Sequence, residues 1–397
     1  MGYGFTVGDV EFLGSAGGAA ALAAAAELPL TAASRLADVA SVRGLVGAER
    51  AAAVLETAVL RRRAAGRIAA AAGWLFTDEA VQQASASVVA AHRAARLARL
   101  GAGAVHDVTC SVGSDLDAFA AAGLDALGSD LDPVRLAMAR HNLRVTAARH
   151  RGSAAVVRAD ALSVVSRGAV VYADPARRDT HGRRTWRPSD LAPRLDHLVT
   201  VHNGRPLVVK SAPGLDFALV PWAAEVELVS LDGDVREACL WSAELATAGR
   251  RATVLSGDGG AWMVTDAEPD DCPVRPPGEW LVNPDGAVVR AGLVRHYGAR
   301  HGLGMLDERI AYLTGDAPPP GIRAFRVLEH GHYTEKSLRA ALHRHHAGAA
   351  EILVRGLDVD PNALRTRLKL RGDASLTVVL TRIGRTPTAF LCHAERT

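Results

Sequence analysis

Four aspartates, each closing a short apolar or β-branched run, constrain the fold of this chain more than any other feature. Asp107 follows Ala104-Val105, Asp130 follows Leu124 to Leu127, Asp160 follows Ala154 to Val157, and Asp174 follows Ala169 to Val171. Helical patterns separate these runs, and strands that alternate with helices specify a parallel sheet built from βαβ units. In such an α/β sheet all four carboxylates reach one edge, and ligands bind in the crevice beyond the carboxyl ends of the strands. A nucleotide-like cofactor is the expected occupant.

The spacing separates two kinds of cofactor. A dinucleotide fingerprint needs G-x-G-x-x-G and one ribose-binding acid about 20 residues on. Here the loop Asp107-Val-Thr-Cys-Ser-Val-Gly113 has a single glycine, and two further acids follow at the third and fourth strand ends. This pattern resembles the class I S-adenosylmethionine-dependent methyltransferases. The resemblance implies a seven-stranded Rossmann-like core and S-adenosyl-L-methionine as cofactor. It implies that the loop carrying Asp107, Thr109, Ser111 and Gly113 turns under the cofactor, that Asp130 takes the ribose hydroxyls, and that Asp160 faces the adenine amine. Asp174-Pro175 matches the start of the family's Asp/Asn-Pro-Pro-aromatic motif. Two positions depart from the pattern. Thr109 and Ser111 replace loop glycines and bring hydroxyls toward the methionine carboxylate, while Ala176-Arg177-Arg178 lacks the aromatic, which leaves the type of acceptor open.

Asp174 is the catalytic candidate, because in-line methyl transfer depends on aiming an acceptor lone pair, and a carboxylate with the Pro175 carbonyl can hold an amine or hydroxyl in place. The same carboxylate can also take a proton if burial raises its pKa. Arg177, with Arg178, Arg183 and Arg184, is placed beside the acceptor crevice, and Lys210 at the end of a fifth strand is expected to face Asp174. Gln82, Ser85 and Arg93 precede the first strand and either cover the cofactor or pack. Asp132, just before Pro133, suits a helix N-cap. Cys110, Cys239, Cys272 and Cys392 are isolated, so no disulfide framework is expected; His330, His332, His343, His345 and His346 lack ligand spacing, and no metal is expected.

A narrower resemblance covers nearly the whole chain. Phe76 to Ser85, the Asp107 loop, Asp174 to Asp179 with Gly182-Arg-Arg184, Val209 to Pro213, Leu281 to Pro284 and Arg290-Ala-Gly292 look like bacterial class I methyltransferases with a C-terminal THUMP-like domain. That resemblance implies RNA as partner and substrate; a small-molecule acceptor, or a non-catalytic RNA-binding protein, is the alternative. Charge agrees: from Gly321 onward thirteen Lys and Arg face seven Asp and Glu, an excess of +6 within a net charge of +3. Arg365, Arg367, Lys369 and Arg371 are the candidate RNA-binding residues.

Four regions are expected: helical residues 1–98, a methyltransferase core over 99–265, a linker and connecting helix over 266–320 with a proline hinge at Pro318, and an α+β domain over 321–397. Long helices are read over Ala51 to Ile68 and Glu79 to Leu100, and the last two core strands over Val226 to Ser230 and Ala252 to Ser256. No apolar run approaches the roughly 18 residues that span a bilayer, and Ala19 to Ala26 has no basic segment before it, so a cytoplasmic protein is expected.

Overall fold

A computed structural model describes residues 2–176 and 187–396. The chain divides into two compact units, one formed by Met1–Asp232, Arg236–Thr247 and Leu255–Gly260, the other by Gly233–Val235, Ala248–Val254 and Ala261–Thr397.

Alanine-rich sequence, with the highest helix propensity, builds the start of the first unit. Helices α1 (Val7–Leu13), α2 (Ala16–Ala26), α3 (Arg35–Val46), α4 (Ala48–Ala64), α5 (Asp78–Gln83) and α6 (Ser87–Arg99) precede the sheet. Thr6 and Asp9 form a capping box on α1, and Ser15 caps α2. The buried face of these helices, including Leu13, Leu22 and Val54, together with Phe76 just before α5, packs with Val112 and with Met138 of helix α8 (Pro133–Thr146). Asn142, fully buried on α8, accepts from Leu75 N–H and donates to the carbonyls of Leu75 and Val112. The helical region therefore has an apolar cluster of its own, joined by Val112 and Met138, within the same compact unit as the sheet.

The unit's sheet contains β1 (Ala104–Asp107), β2 (Asp125–Asp130), β3 (Ala154–Arg158), β4 (Val170–Ala173), β5 (Leu207–Ser211), β6 (Glu225–Leu231) and β7 (Asp234–Trp241), with α7 (Ser114–Ala121) after β1 and α9 (Leu195–Val201) before β5. Their order is β3-β2-β1-β4-β5-β7-β6, with β1 to β5 parallel and β7 antiparallel to β5. This is the expected α/β fold with one correction. The strand beside β5 is β7, which was missed because Asp234, Arg236 and Glu237 interrupt its apolar pattern. The expected strand near Ala252 to Ser256 instead corresponds to β8 (Arg250–Leu255). A second correction concerns the helix read over Glu79 to Leu100. It breaks at Ala84 to Ala86, where Ala84 (ψ 135°) and Ala86 (ψ 142°) leave helical geometry without a glycine or proline to announce it. The helix read to Ile68 ends at Ala64.

In the second unit β8 is followed by β9 (Ala261–Thr265), β10 (Trp280–Val282), α10 (Gly286–Ala291), α11 (Val294–Arg300), β11 (Gly304–Asp307) and β12 (Ile310–Gly315). Then come β13 (Arg323–His332), α12 (Glu335–Arg344), β14 (Ala347–Val354), α13 (Pro361–Leu368), β15 (Ala374–Ile383) and β16 (Thr386–Arg396). Seven strands pair in the order β11-β12-β10-β13-β16-β15-β14. Because β10 pairs antiparallel with β13, the segment read as linker supplies three strands to the same sheet as the tail, and Pro318 to Gly321 is a loop within it. The connecting helix is two helices, split at Gly292, whose φ of +75° stops α10.

Candidate cofactor and acceptor sites

Asp107, Asp130 and Asp174 reach one edge of the sheet as the βαβ pattern requires, and with Asp160 they line a cavity of about 440 Å³. The loop after β1 is shaped by its own side chains. Thr109 N–H donates to Asp107 Oδ1 (3.0 Å), and Thr109 Oγ1 accepts from Asp174 N–H (2.7 Å), so this hydroxyl ties the loop to the end of β4. Ser111 adopts φ +47° and Gly113 φ +87°, both left-handed. Gly113 also allows α8 to approach: a Cβ there would lie 3.3 Å from Ala139 Cβ.

Asp130 accepts from Ser111 N–H (3.1 Å) and Asp132 N–H (2.9 Å). A carboxylate offers about four lone-pair directions, so two stay available for a pair of vicinal hydroxyls. Asp132 caps α8 by accepting from the N–H groups of Val134 and Arg135. Asp160 accepts from Leu162 N–H (2.8 Å) and is exposed at the cavity's other end, near Leu131 and Ala161. Asp107 is the buried acid of the set. Burial pushes its carboxyl well above the usual carboxylate range, and the neighbouring Asp115, Asp174 and Asp130 push it further against the Thr109 N–H. A cavity floored by such acids favours a cation.

Lys210 Nζ lies 2.6 Å from Asp174 Oδ2 and donates to the Gln83 carbonyl at 3.1 Å, in the break after α5. Burial disfavours its ammonium, yet the carboxylates of Asp174, Glu237 and Asp115 outweigh this and hold its pKa above the ordinary lysine value. A carboxylate bound to a persistent cation is suited to accepting hydrogen bonds, and protonating it would cost the ion pair. Asp174 also borders a second cavity of about 700 Å³, with Pro175, Lys210, Ser85, Arg67 and Arg236 among its lining. Arg177, Arg178, Arg183 and Arg184 lie outside the described residues. Cys239, opposite Lys210 on β7, donates to Glu237 Oε1 and is fully buried, which pushes its thiol up and away from nucleophilic use. Cys110 is buried against Gly128, a packing role.

Sequence reasoning missed the charge system behind these cavities. Arg93, 1% exposed, pairs with both Asp115 and Glu237; Ser85 Oγ donates to Glu237 at 2.9 Å, and Tyr172 OH to Asp115 at 3.2 Å. Asp115 lines the first cavity and Glu237 the second. Arg93 therefore does not line the first cavity, and Gln82 and Ser85 belong to the second one. One signal was available: Arg93 and Arg96 stand among Ala90, Ala94 and Leu97 on the apolar face of α6, and Arg96 likewise pairs with Glu225 and Glu227 at 2.7 Å.

In the second unit, Arg365 donates to the Ala350 carbonyl (3.1 Å) and to Asn362 Oδ1 (3.0 Å), and Arg367 pairs with Glu335 (2.9 Å). Lys369 and Arg371 line a groove of about 290 Å³ with Arg339 and His343. The four residues read from the sequence thus divide into an engaged pair and a pair on a basic groove. Among the described residues no group of His, Cys, Asp and Glu is arranged to hold a metal ion, and no helix is long and apolar enough to cross a membrane.

Replacing Arg93 with Met should cost about 3 to 5 kcal/mol of unfolding free energy, the range for removing one partner of a buried ion pair. Burial works against the Glu237 carboxylate, but Arg93 and Lys210 lower its pKa, so the pair contributes stability above the unfolded glutamate pKa and loses it as pH falls. In the variant the slope should reverse, because protonating Glu237 removes a charge that has lost Arg93. Urea unfolding across pH checks this; a loss below about 1 kcal/mol contradicts the assignment.

The two cavities, the strand order and the acidic strand ends fit comparisons with known proteins. A family model described as THUMP domain-like matches residues 322–394, and a model described as a domain of unknown function matches residues 6–64. Two Mycobacterium tuberculosis proteins, each described as an uncharacterized S-adenosylmethionine-dependent methyltransferase, are 52% identical over 364 residues, covering 88% of this chain and 98% of each relative. The crystal structure of a candidate methyltransferase from Porphyromonas gingivalis W83 aligns with a TM-score of 0.73 at 20% identity, covering 94% of this chain and 99% of that one, a likeness of fold. On these relatives, the chain belongs to the S-adenosylmethionine-dependent methyltransferases, with a C-terminal THUMP-like domain.

Proposed function

We propose that this chain methylates structured RNA, with the cofactor in the first cavity and the acceptor entering through the second. The observation that carries the reading is Asp174, which borders both cavities while Lys210 and the Thr109 hydroxyl fix it in place. In-line transfer needs the acceptor on the side of the methyl group opposite sulfur, and a residue shared by two adjoining cavities is suited to hold it there. When bound, S-adenosyl-L-methionine would supply a sulfonium methyl: the acceptor–carbon bond would form as the carbon–sulfur bond breaks with its electron pair kept on sulfur, and the acceptor's proton would pass to solvent. Asp174 and the Pro175 carbonyl accept hydrogen bonds from the acceptor amine or hydroxyl and so aim its lone pair. Lys210 holds Asp174 in place through the ion pair, and Arg177 lies on the chain just past this motif, suited to an acceptor phosphate. Asp107 carries the negative charge toward the methionyl ammonium, Thr109 and Ser111 shape the loop beneath it, Asp130 holds the ribose, and Asp160 lies toward adenine.

The THUMP-like domain, its charge excess and its basic groove support RNA as the partner. Comparing modified nucleosides by mass spectrometry in RNA from cells with and without the gene tests the substrate. One methylated nucleoside should disappear without the gene. An unchanged set would favour a small-molecule acceptor.

Two variants separate the cavities. Asp130→Ala should weaken S-adenosylhomocysteine binding by about 2 to 3 kcal/mol, since hydrogen bonds to a charged group contribute roughly 1.5 to 3 kcal/mol each. Asp174→Asn should lower the methylation rate by about a hundredfold, the scale of a positioned polar group, with little change in that affinity. Calorimetry beside single-turnover methylation reads both, and a parallel loss of affinity and rate in Asp174→Asn contradicts its role.

Phosphate contacts are assigned first to Lys369 and Arg371, with Arg365 and Arg367 as weaker contributors because their guanidinium groups are already engaged. Neutralising Lys369 and Arg371 should flatten the log-log salt dependence of RNA binding by about one to two units. An unchanged slope would leave the groove without a part in RNA binding.

A further inference from the structure

We propose that the second cavity contains an anion subsite, anchored by Arg67 with Arg236 beside it, that takes a phosphate group of the methyl acceptor. The proposal rests on reading this cavity as the acceptor site and adds the chemical class of what enters it. Arg67 follows the turn at Gly66 (φ +78°) after α4 and is half-buried on the cavity wall. One of its terminal nitrogens donates to the Val81 carbonyl, while its Nε is buried without a hydrogen-bond partner. Among the described residues no carboxylate forms an ion pair with it.

Of the other charges on the wall, two are matched by oppositely charged side chains, and Asp232 has a backbone partner. Lys210 is matched by Asp174, Glu237 by Arg93 and the Ser85 hydroxyl, and Asp232 Oδ1 accepts from Gly257 N–H at 2.9 Å. Arg236 adds a second guanidinium close enough to act on Arg67: burial lowers the Arg67 pKa, and the fields of Arg236 and Arg63 lower it further. A desolvated cation facing like charge is stabilised by an incoming anion. With one terminal nitrogen on the Val81 carbonyl and Nε buried, the other terminal nitrogen is left to donate to a phosphate oxygen. A phosphate can address both arginines with separate oxygens, and a cavity of about 700 Å³ has room for a nucleotide-sized group beside it.

The test uses the full chain saturated with S-adenosylhomocysteine and titrated with inorganic phosphate, followed by ³¹P line broadening. Wild type should bind saturably. Arg67→Gln should weaken phosphate binding by about tenfold or more, the loss of one charge-assisted contact. Arg236→Gln should weaken it less, and both should keep wild-type S-adenosylhomocysteine affinity, which reports an intact fold. Arg67→Lys, which keeps the charge without the fork, should fall between and serves if Arg67→Gln does not fold. Uridine 5′-monophosphate and a 5′-hydroxyl RNA oligonucleotide then compete against the inorganic phosphate. Displacement by the nucleotide assigns the subsite to a terminal phosphate, and displacement by the oligonucleotide to an RNA backbone phosphate. Absence of saturable binding, wild-type affinity in Arg67→Gln, or failure of both competitors overturns the proposal. Because phosphate binding is read without turnover, its failure leaves the Asp174 reading standing, and the rate test of Asp174 leaves the phosphate result standing.

Discussion

Arg93 lies between Asp115 under the first cavity and Glu237 on the wall of the second, and the arrangement of both depends on that bridge. Asp107, Asp115, Asp174 and Glu237 crowd the carboxyl edge of the sheet, where burial opposes negative charge. Two buried cations answer them: Arg93 on α6 and Lys210 on β5. Removing either leaves a carboxylate without its counter-charge, most severely Glu237, which is 2% exposed. The break between α5 and α6 belongs to the same design, because it brings the Gln83 carbonyl to Lys210 and the Ser85 hydroxyl to Glu237. A continuous helix would follow the alanine propensity and forfeit both contacts.

The cations leave one acid short. Asp107 has the Thr109 N–H but no ion pair among the described residues, and its carboxyl is pushed up by burial and by its acidic neighbours. A positively charged ligand group placed beside it would stabilise the ionised form, and binding of such a group would relieve this electrostatic cost. The same logic recurs with opposite sign at Arg67, whose Nε is buried without a hydrogen-bond partner and which forms no ion pair with a carboxylate among the described residues.

Legibility in the sequence followed how local each cause was. Asp107, Asp130 and Asp174 were readable because a strand of alternating or continuous apolar residues ends at each, and the sheet topology aligns the ends. Asp132 was readable as a cap because Pro133 marks the first helical turn. The α5–α6 break was not, because its cause is a lysine 127 positions away that needs a carbonyl. Strand β7 was hidden because its Glu237 is tolerated only through Arg93 on a distant helix. Residues 266–320 read as a linker because Pro318-Pro-Pro suggests a boundary, whereas pairing of β10 with β13 is a long-range choice that no short window contains. In the tail, basic residues were visible, but which of them remain on the groove depended on Glu335 and Ala350 from neighbouring elements.

The most direct test of this electrostatic account is the proton balance of cofactor binding. Calorimetric titration of the full chain with S-adenosylhomocysteine, repeated in buffers of different ionisation enthalpy over roughly pH 5 to 7.5, keeps the ligand ammonium protonated throughout. A carboxyl whose pKa is raised in the free protein and lowered by the bound ammonium must release a proton, so affinity should rise with pH and level off once Asp107 is ionised in the free state. The account predicts saturable binding with proton release that is largest at the acid end and absent in Asp107→Asn. Binding that releases no proton and does not change with pH would contradict it.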